Sequence, residues 1–240
     1  MNKDTELFER IRQQFDFEPY PNTPLEASPE YNINELYIHN LTTSYYLRNQ
    51  KITQTENKLI LDAGCGSGYK SLVLACANPG AKIVGIDLSE KSIELARLRL
   101  QYHGFDNVEF HALAIDELPR LNLQFDYINC DEVIYLTPDI VETLQLMASV
   151  LKPDGIIRTN LHSALQRRNY YQAQQLFKMM GLMEDNPEEM EIDIVLEIFE
   201  ALKDRILLKE TIKNDKYDLT NKTGVLYLKQ PPKKNCGCLS

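Results

Sequence analysis

The 240-residue sequence predicts an α/β fold with a doubly wound, mostly parallel sheet and helical additions at both ends. Three observations carry this. Short apolar segments alternate with helical ones between Lys58 and Thr159. The turn Asp62-Ala63-Gly64-Cys65-Gly66-Ser67-Gly68 joins the first apolar segment to a helix. Asp87 ends the second segment, about 20 residues past the glycines.

The elements follow in order. Leu7, Phe8, Ile11 and Phe15 fall at helical spacing, so residues 3–15 read as a short amphipathic helix. Pro19, Pro21, Pro24 and Pro29 then impose an extended stretch over 16–34, and a single helix is expected over about 34–49. Leu59-Ile60-Leu61 is the first strand and the glycine turn opens a helix over about 69–77. Strand 82–86 leads to Ser89, placed to cap a helix that Gly104 stops. Further strands are read at 108–110, 127–129 and 156–159, with a helix over about 139–151 that ends at Lys152-Pro153-Asp154-Gly155. Helices over about 164–180 and 188–209 and a strand at 224–229 complete the chain. The expected organisation is a cap (1–50), a ligand-binding core (51–162) and a mostly helical C-terminal part (163–240) with a disordered tail.

Composition narrows the function. Hydrophobic content of 43% and charged content of 25% are those of a globular protein. A net charge of -9 argues against a nucleic-acid partner, which needs a basic footprint, and no apolar run approaches the ~20 residues of a membrane span. The N-terminus has no signal-peptide pattern. Cys65, Cys76 and Cys130 sit in apolar segments as small hydrophobes. Cys236 and Cys238 lack the second pair of a zinc site, so no metal is expected and a reducing, cytoplasmic setting is. Oligomeric state is not legible.

The glycine turn separates ligand classes. A dinucleotide fingerprint, G-x-G-x-x-G, would put its third glycine where Tyr69 stands. Asp62 would repel a pyrophosphate but accept hydrogen bonds from an ammonium group. The ligand should carry a cation near the turn and no phosphates, with Asp87 holding a ribose diol.

Leu59 to Gly68 resembles the first motif of class I S-adenosylmethionine-dependent methyltransferases, and Val84 to Ser89 resembles the second. Phe110 to Pro119 and Leu151 to Ile157 are similar to two later regions, and the opening Pro19 to Glu26 resembles a cyanobacterial group. The resemblance implies methyl transfer from S-adenosylmethionine to an acceptor, here a small molecule. It implies that Asp62, Ala63, Gly64, Cys65, Gly66 and Gly68 belong to the cofactor-binding turn, with Asp62 and Gly64 facing the methionine amino group and its carboxylate, that Asp87 holds the ribose and that Leu88 packs on the adenine. Ala114 stands where the family often has an aspartate at the adenine amine, so backbone at Ile115, or Asp116, takes that contact. Asn129 and Cys130 fall beside the methionine moiety.

Candidate catalytic groups come from the carboxyl ends of strands, where open α/β sheets bind ligands. Asp131 and Glu132 follow the fourth strand and read equally well as helix-start carboxylates. His162 follows the fifth and is the histidine to test first, whereas His39, His103 and His111 read as structural. Tyr20, Tyr31, Tyr37, Tyr45 and Tyr46 either pack on the sheet, the favoured reading, or line a lid over the cofactor. The competing functions are aminopropyl transfer, a non-catalytic nucleotide-binding module and a nicotinamide dehydrogenase, the last opposed by Tyr69 and Asp62.

Overall fold

The computed structural model describes residues 3–161, 163, 165, 167–182 and 188–203. The chain divides into two units, residues 1–161 and 162–240. In the first, five strands form one parallel sheet: β1 (Leu59–Ala63), β2 (Lys82–Asp87), β3 (Val108–Ala112), β4 (Phe125–Cys130) and β5 (Leu151–Thr159). Their order, β3-β2-β1-β4-β5, reverses direction at β1, the switch point at which such sheets bind ligands.

The two-residue period of β1 divides the core. Ile60 joins Ile83 and Tyr127 on one face, under α3 (Leu41–Asn49), α4 (Tyr69–Ala77) and α5 (Glu90–Tyr102). Leu61 joins Val84 and Ile128 on the other, under α6 (Ile140–Ser149) and a short 3-10 helix, Ile115–Leu121. The central strands are apolar on both faces, which only a sheet covered on both sides can bury. Ser89 caps α5 by accepting the Ser92 N–H, and Gly104 ends that region with φ at 75°.

Two expectations are corrected. The single helix over 34–49 is two, α2 (Ile33–His39) and α3, because Asn40 leaves the helical region (ψ 124°), caps Thr42 N–H and donates to the Ala77 carbonyl. Residues 152–155 do not end a helix; they bulge from β5, whose pairing with β4 passes from Phe125↔Leu151 directly to Tyr127↔Ile156. The N-terminal α1 (Lys3–Phe17) agrees with its reading.

In the second unit, α7 (Arg168–Met179) and α8 (Glu188–Ala201) pack through Tyr170, Ala173, Phe177, Ile192, Val195 and Phe199. The strand expected at 224–229, His162 and the tail cysteines lie outside the described residues. No helix among the described residues is long and apolar enough to cross a membrane.

The α2–α3 junction hangs on Asn78, a fully buried side chain. Its Oδ1 accepts the Leu41 N–H at 2.8 Å and its Nδ2 donates to the His39 carbonyl at 3.1 Å. Asn78→Ala strands both backbone groups in the core and should cost about 2–4 kcal/mol, read as a lower urea midpoint at unchanged slope.

Candidate active site

The glycine turn leaves β1 and enters α4 with Gly64, Gly66 and Gly68 all at positive φ. Its backbone donors are all in use. The Gly64 and Cys65 N–H groups donate to the Ile86 carbonyl (2.8 and 2.9 Å), and Gly66 N–H donates to Asp87 Oδ2 (2.9 Å). Ser67 N–H donates to the Tyr20 carbonyl (2.9 Å) and Gly68 N–H to the Cys65 carbonyl (3.0 Å). A phosphate cradle needs such groups free and converging on an anion.

Gly66 is required by the N-terminal segment: a Cβ there would stand 2.0 Å from the Tyr20 carbonyl oxygen. The segment is fastened at further points. Ser67 Oγ donates to the Pro21 carbonyl, and the buried Arg99 guanidinium donates to the carbonyls of Ser67, Pro24 and Thr23 at 2.7–3.0 Å. Residues 20–24 are thus built into the wall of the turn. Of the five tyrosines, Tyr45 is core and donates to the Asp126 carbonyl, while Tyr31, Tyr37 and Tyr46 are exposed.

Three aspartates stand at the carboxyl ends of the central strands, each solvated differently. Asp87 Oδ1 accepts the Ser89 N–H at 3.0 Å, opposite the Gly66 contact. Burial pushes its carboxyl up to about 6, against the pull of the two N–H groups. Asp62 is only 1% exposed; it accepts from Ser71 Oγ (2.7 Å) and Asn129 Nδ2 (2.9 Å). Burial raises it also, the Ser71 and Asn129 hydrogen bonds opposing. Its carboxyl group braces β1 against α4 and β4 from beneath the turn.

Asp131 behaves oppositely. Burial disfavours its charge, but His39 and Arg158 outweigh burial and hold the carboxyl well below the usual carboxylate range. His39 Nε2 lies 3.1 Å from Oδ2 and Arg158 Nη1 2.7 Å from Oδ1. A carboxylate held this way is a poor proton acceptor, which weighs against a proton-accepting role for Asp131. Arg158 Nη1 also donates to Asn129 Oδ1 at 2.9 Å, which fixes the Asn129 amide. Glu132 adopts a left-handed backbone (φ 60°); Asn160 accepts its N–H and donates to its carboxylate, and Tyr135 OH donates to the same carboxylate.

Of the other expected residues, Ala63, Cys65 and Cys130 are buried, and burial raises the Cys130 thiol to about 12. Leu88 is half-buried, Ala114 precedes the 3-10 helix and Ile115 is buried in the core. His103 bonds the Leu25 carbonyl and His111 pairs with Glu109. Sequence reasoning does not bring Arg158 to the site, and it reads His39 as structural, without the acidic partner that the structure sets against it from 92 residues away. Arg158 was legible in principle, since the β4–β5 register puts it beside Asn129.

A family model described as a methyltransferase domain matches residues 54–224. The chain belongs to the class I S-adenosylmethionine-dependent methyltransferases. An uncharacterized protein of Synechococcus sp., syc1184_c, is 30% identical over 167 residues, covering 69% of this chain and 40% of that protein. The ubiquinone biosynthesis O-methyltransferase of Bordetella avium is 36% identical over 104 residues, covering 42% of this chain and 41% of the enzyme. The chain therefore spans about two fifths of the length of these curated relatives. The structure of PKMT2 from Rickettsia typhi has the same fold, with TM-score 0.59 at 23% identity over 78% of this chain and 38% of that one. Its complex with AdoHcy aligns at TM-score 0.51 and 23% identity, over 69% and 33%.

The raised Asp87 carboxyl makes a signed prediction. Its contribution to stability is full below about pH 4 and is lost as pH rises through about 6, where the buried carboxylate ionises. Asp87→Asn removes that slope from urea unfolding curves recorded across about pH 4–7.

Proposed function

We propose that this chain transfers a methyl group from S-adenosylmethionine to a small-molecule acceptor. The observation that carries the reading is the turn whose peptide N–H groups are all used internally while Asp87 stands at the end of the neighbouring strand. Such a site offers nothing to a pyrophosphate and a carboxylate to a ribose diol, which is the demand of a sulfonium nucleoside. The acidic setting formed by Asp62 and Asp87 favours a cationic ligand further. The family match and the O-methyltransferase relative support methyl transfer over aminopropyl transfer or a non-catalytic module.

On this reading Asp87 accepts the ribose hydroxyls, Leu88 and Ile115 flank the adenine with Ala114 leaving room for it, and Gly64, Asn129 and Cys130 line the methionine end. The donor supplies a methyl group already activated by its sulfonium. The chain's own contribution is alignment and exclusion of water, worth up to ~7–11 kcal/mol. Asp62 acts from behind the turn, as the anchor of Asn129 and of Ser71. Cys130, kept as a neutral thiol, packs without competing as a nucleophile. The free cysteines Cys65, Cys76 and Cys130 support a cytoplasmic setting.

Calorimetry with S-adenosylhomocysteine and with NAD tests this. S-adenosylhomocysteine should bind with micromolar or better affinity and NAD should not; the reverse order would defeat the proposal. Asp87→Ala should weaken S-adenosylhomocysteine by roughly 10- to 100-fold, the loss of a charge-assisted hydrogen-bond pair.

A further inference from the structure

Both ring nitrogens of His39 face groups that only accept. Nδ1 lies 2.8 Å from the Glu35 carbonyl oxygen and Nε2 3.1 Å from Asp131 Oδ2. A carbonyl has no proton to give, and Arg158 beside the other carboxylate oxygen keeps Asp131 ionised. The Nε2–H of His39 is therefore the donor that meets the Asp131 carboxylate, from a fully buried ring on a helix of the N-terminal segment. A buried carboxylate persists only with such partners, so the two side chains hold each other in place.

Asp131 leads into the segment that crosses the glycine turn. Two residues on, Val133 Cγ2 stands 2.3 Å from where a Cβ on Gly64 would be. Between them is the left-handed Glu132, secured by Asn160. On its other side Asp131 meets Arg158, which holds Asn129, which holds Asp62 under β1. One run of contacts thus joins α2 to the floor and the roof of the turn. We propose that His39 is a positioning residue for donor binding: its buried ring fixes Asp131, and through it both the 131–136 segment over Gly64 and the Arg158–Asn129–Asp62 relay beneath.

The charged groups around His39 are few. Asp131 approaches from β4, with Arg158 of β5 behind it and Asp62 of β1 acting at longer range. From α2 itself Glu35 presents only its carbonyl, because its carboxylate pairs with Lys70 of α4. Removal of the His39 ring therefore takes from Asp131 Oδ2 its partner on α2 and leaves the carboxylate with Arg158.

The inference rests on the donor site proposed above, and the test separates the two. Affinity for S-adenosylhomocysteine is measured at neutral pH for wild type, His39→Gln and His39→Leu, with a urea midpoint for each. His39→Gln, which keeps an N–H toward Asp131, should bind within about threefold of wild type, and His39→Leu, which keeps none, roughly tenfold or more weakly. Wild-type affinity in a folded His39→Leu overturns the inference; so does, if His39→Leu does not fold, a His39→Gln that holds the wild-type urea midpoint and binds roughly tenfold or more weakly. Absence of S-adenosylhomocysteine binding by wild type would instead remove the donor site, and the inference with it.

Discussion

The peptide N–H groups of Gly64 to Gly68 are donated inside the protein, and the rest of the site is arranged around that constraint. Two acceptors come from β2, the Ile86 carbonyl and the Asp87 carboxylate; a third, the Tyr20 carbonyl, comes from the N-terminal segment. The turn is consequently a finished piece of structure before any ligand arrives. Recognition has to come from what surrounds it: a carboxylate already aimed by two backbone donors, and side chains at the ends of β1, β4 and β5. Pre-organisation of this kind lowers the ordering cost of binding.

The same constraint gives the N-terminal segment its place. With Gly66 closed off by Tyr20, the segment is a wall of the site, tied at its base by an arginine, Arg99, that is paid in carbonyl oxygens alone. Burial lowers the pKa of that guanidinium, yet an arginine keeps its charge with such donors satisfied. At the other end of the segment, His39 enters the core beside Asp131. The acidic groups of the site are thus handled separately, Asp87 by backbone, Asp62 by a hydroxyl and an amide, and Asp131 by a histidine and an arginine.

Much of this was legible in the sequence, for local reasons. Apolar runs bounded by turn residues located all five strands, and Ser89 and Gly104 announced helix ends through chemistry that acts over three or four residues. The glycine spacing and Tyr69 separated a sulfonium nucleoside from a dinucleotide. What escaped depends on contacts between distant segments. Periodicity could not reveal the break at Asn40, because its side chain is drawn away by Ala77. The sequence does not announce that the oxygens of Asp62 take Ser71 and Asn129. His39 and Asp131 are 92 residues apart, so the sequence pairs neither with the other.

The central claim is that this turn receives a sulfonium nucleoside through Asp87 and takes no phosphate on its backbone. A crystal structure of the protein with S-adenosylhomocysteine tests it most directly. The account predicts both ribose hydroxyls within hydrogen-bond distance of the Asp87 carboxylate, with the N–H groups of residues 64–68 keeping their internal partners. A ligand bound elsewhere, or a turn that opens those N–H groups toward it, would contradict the account.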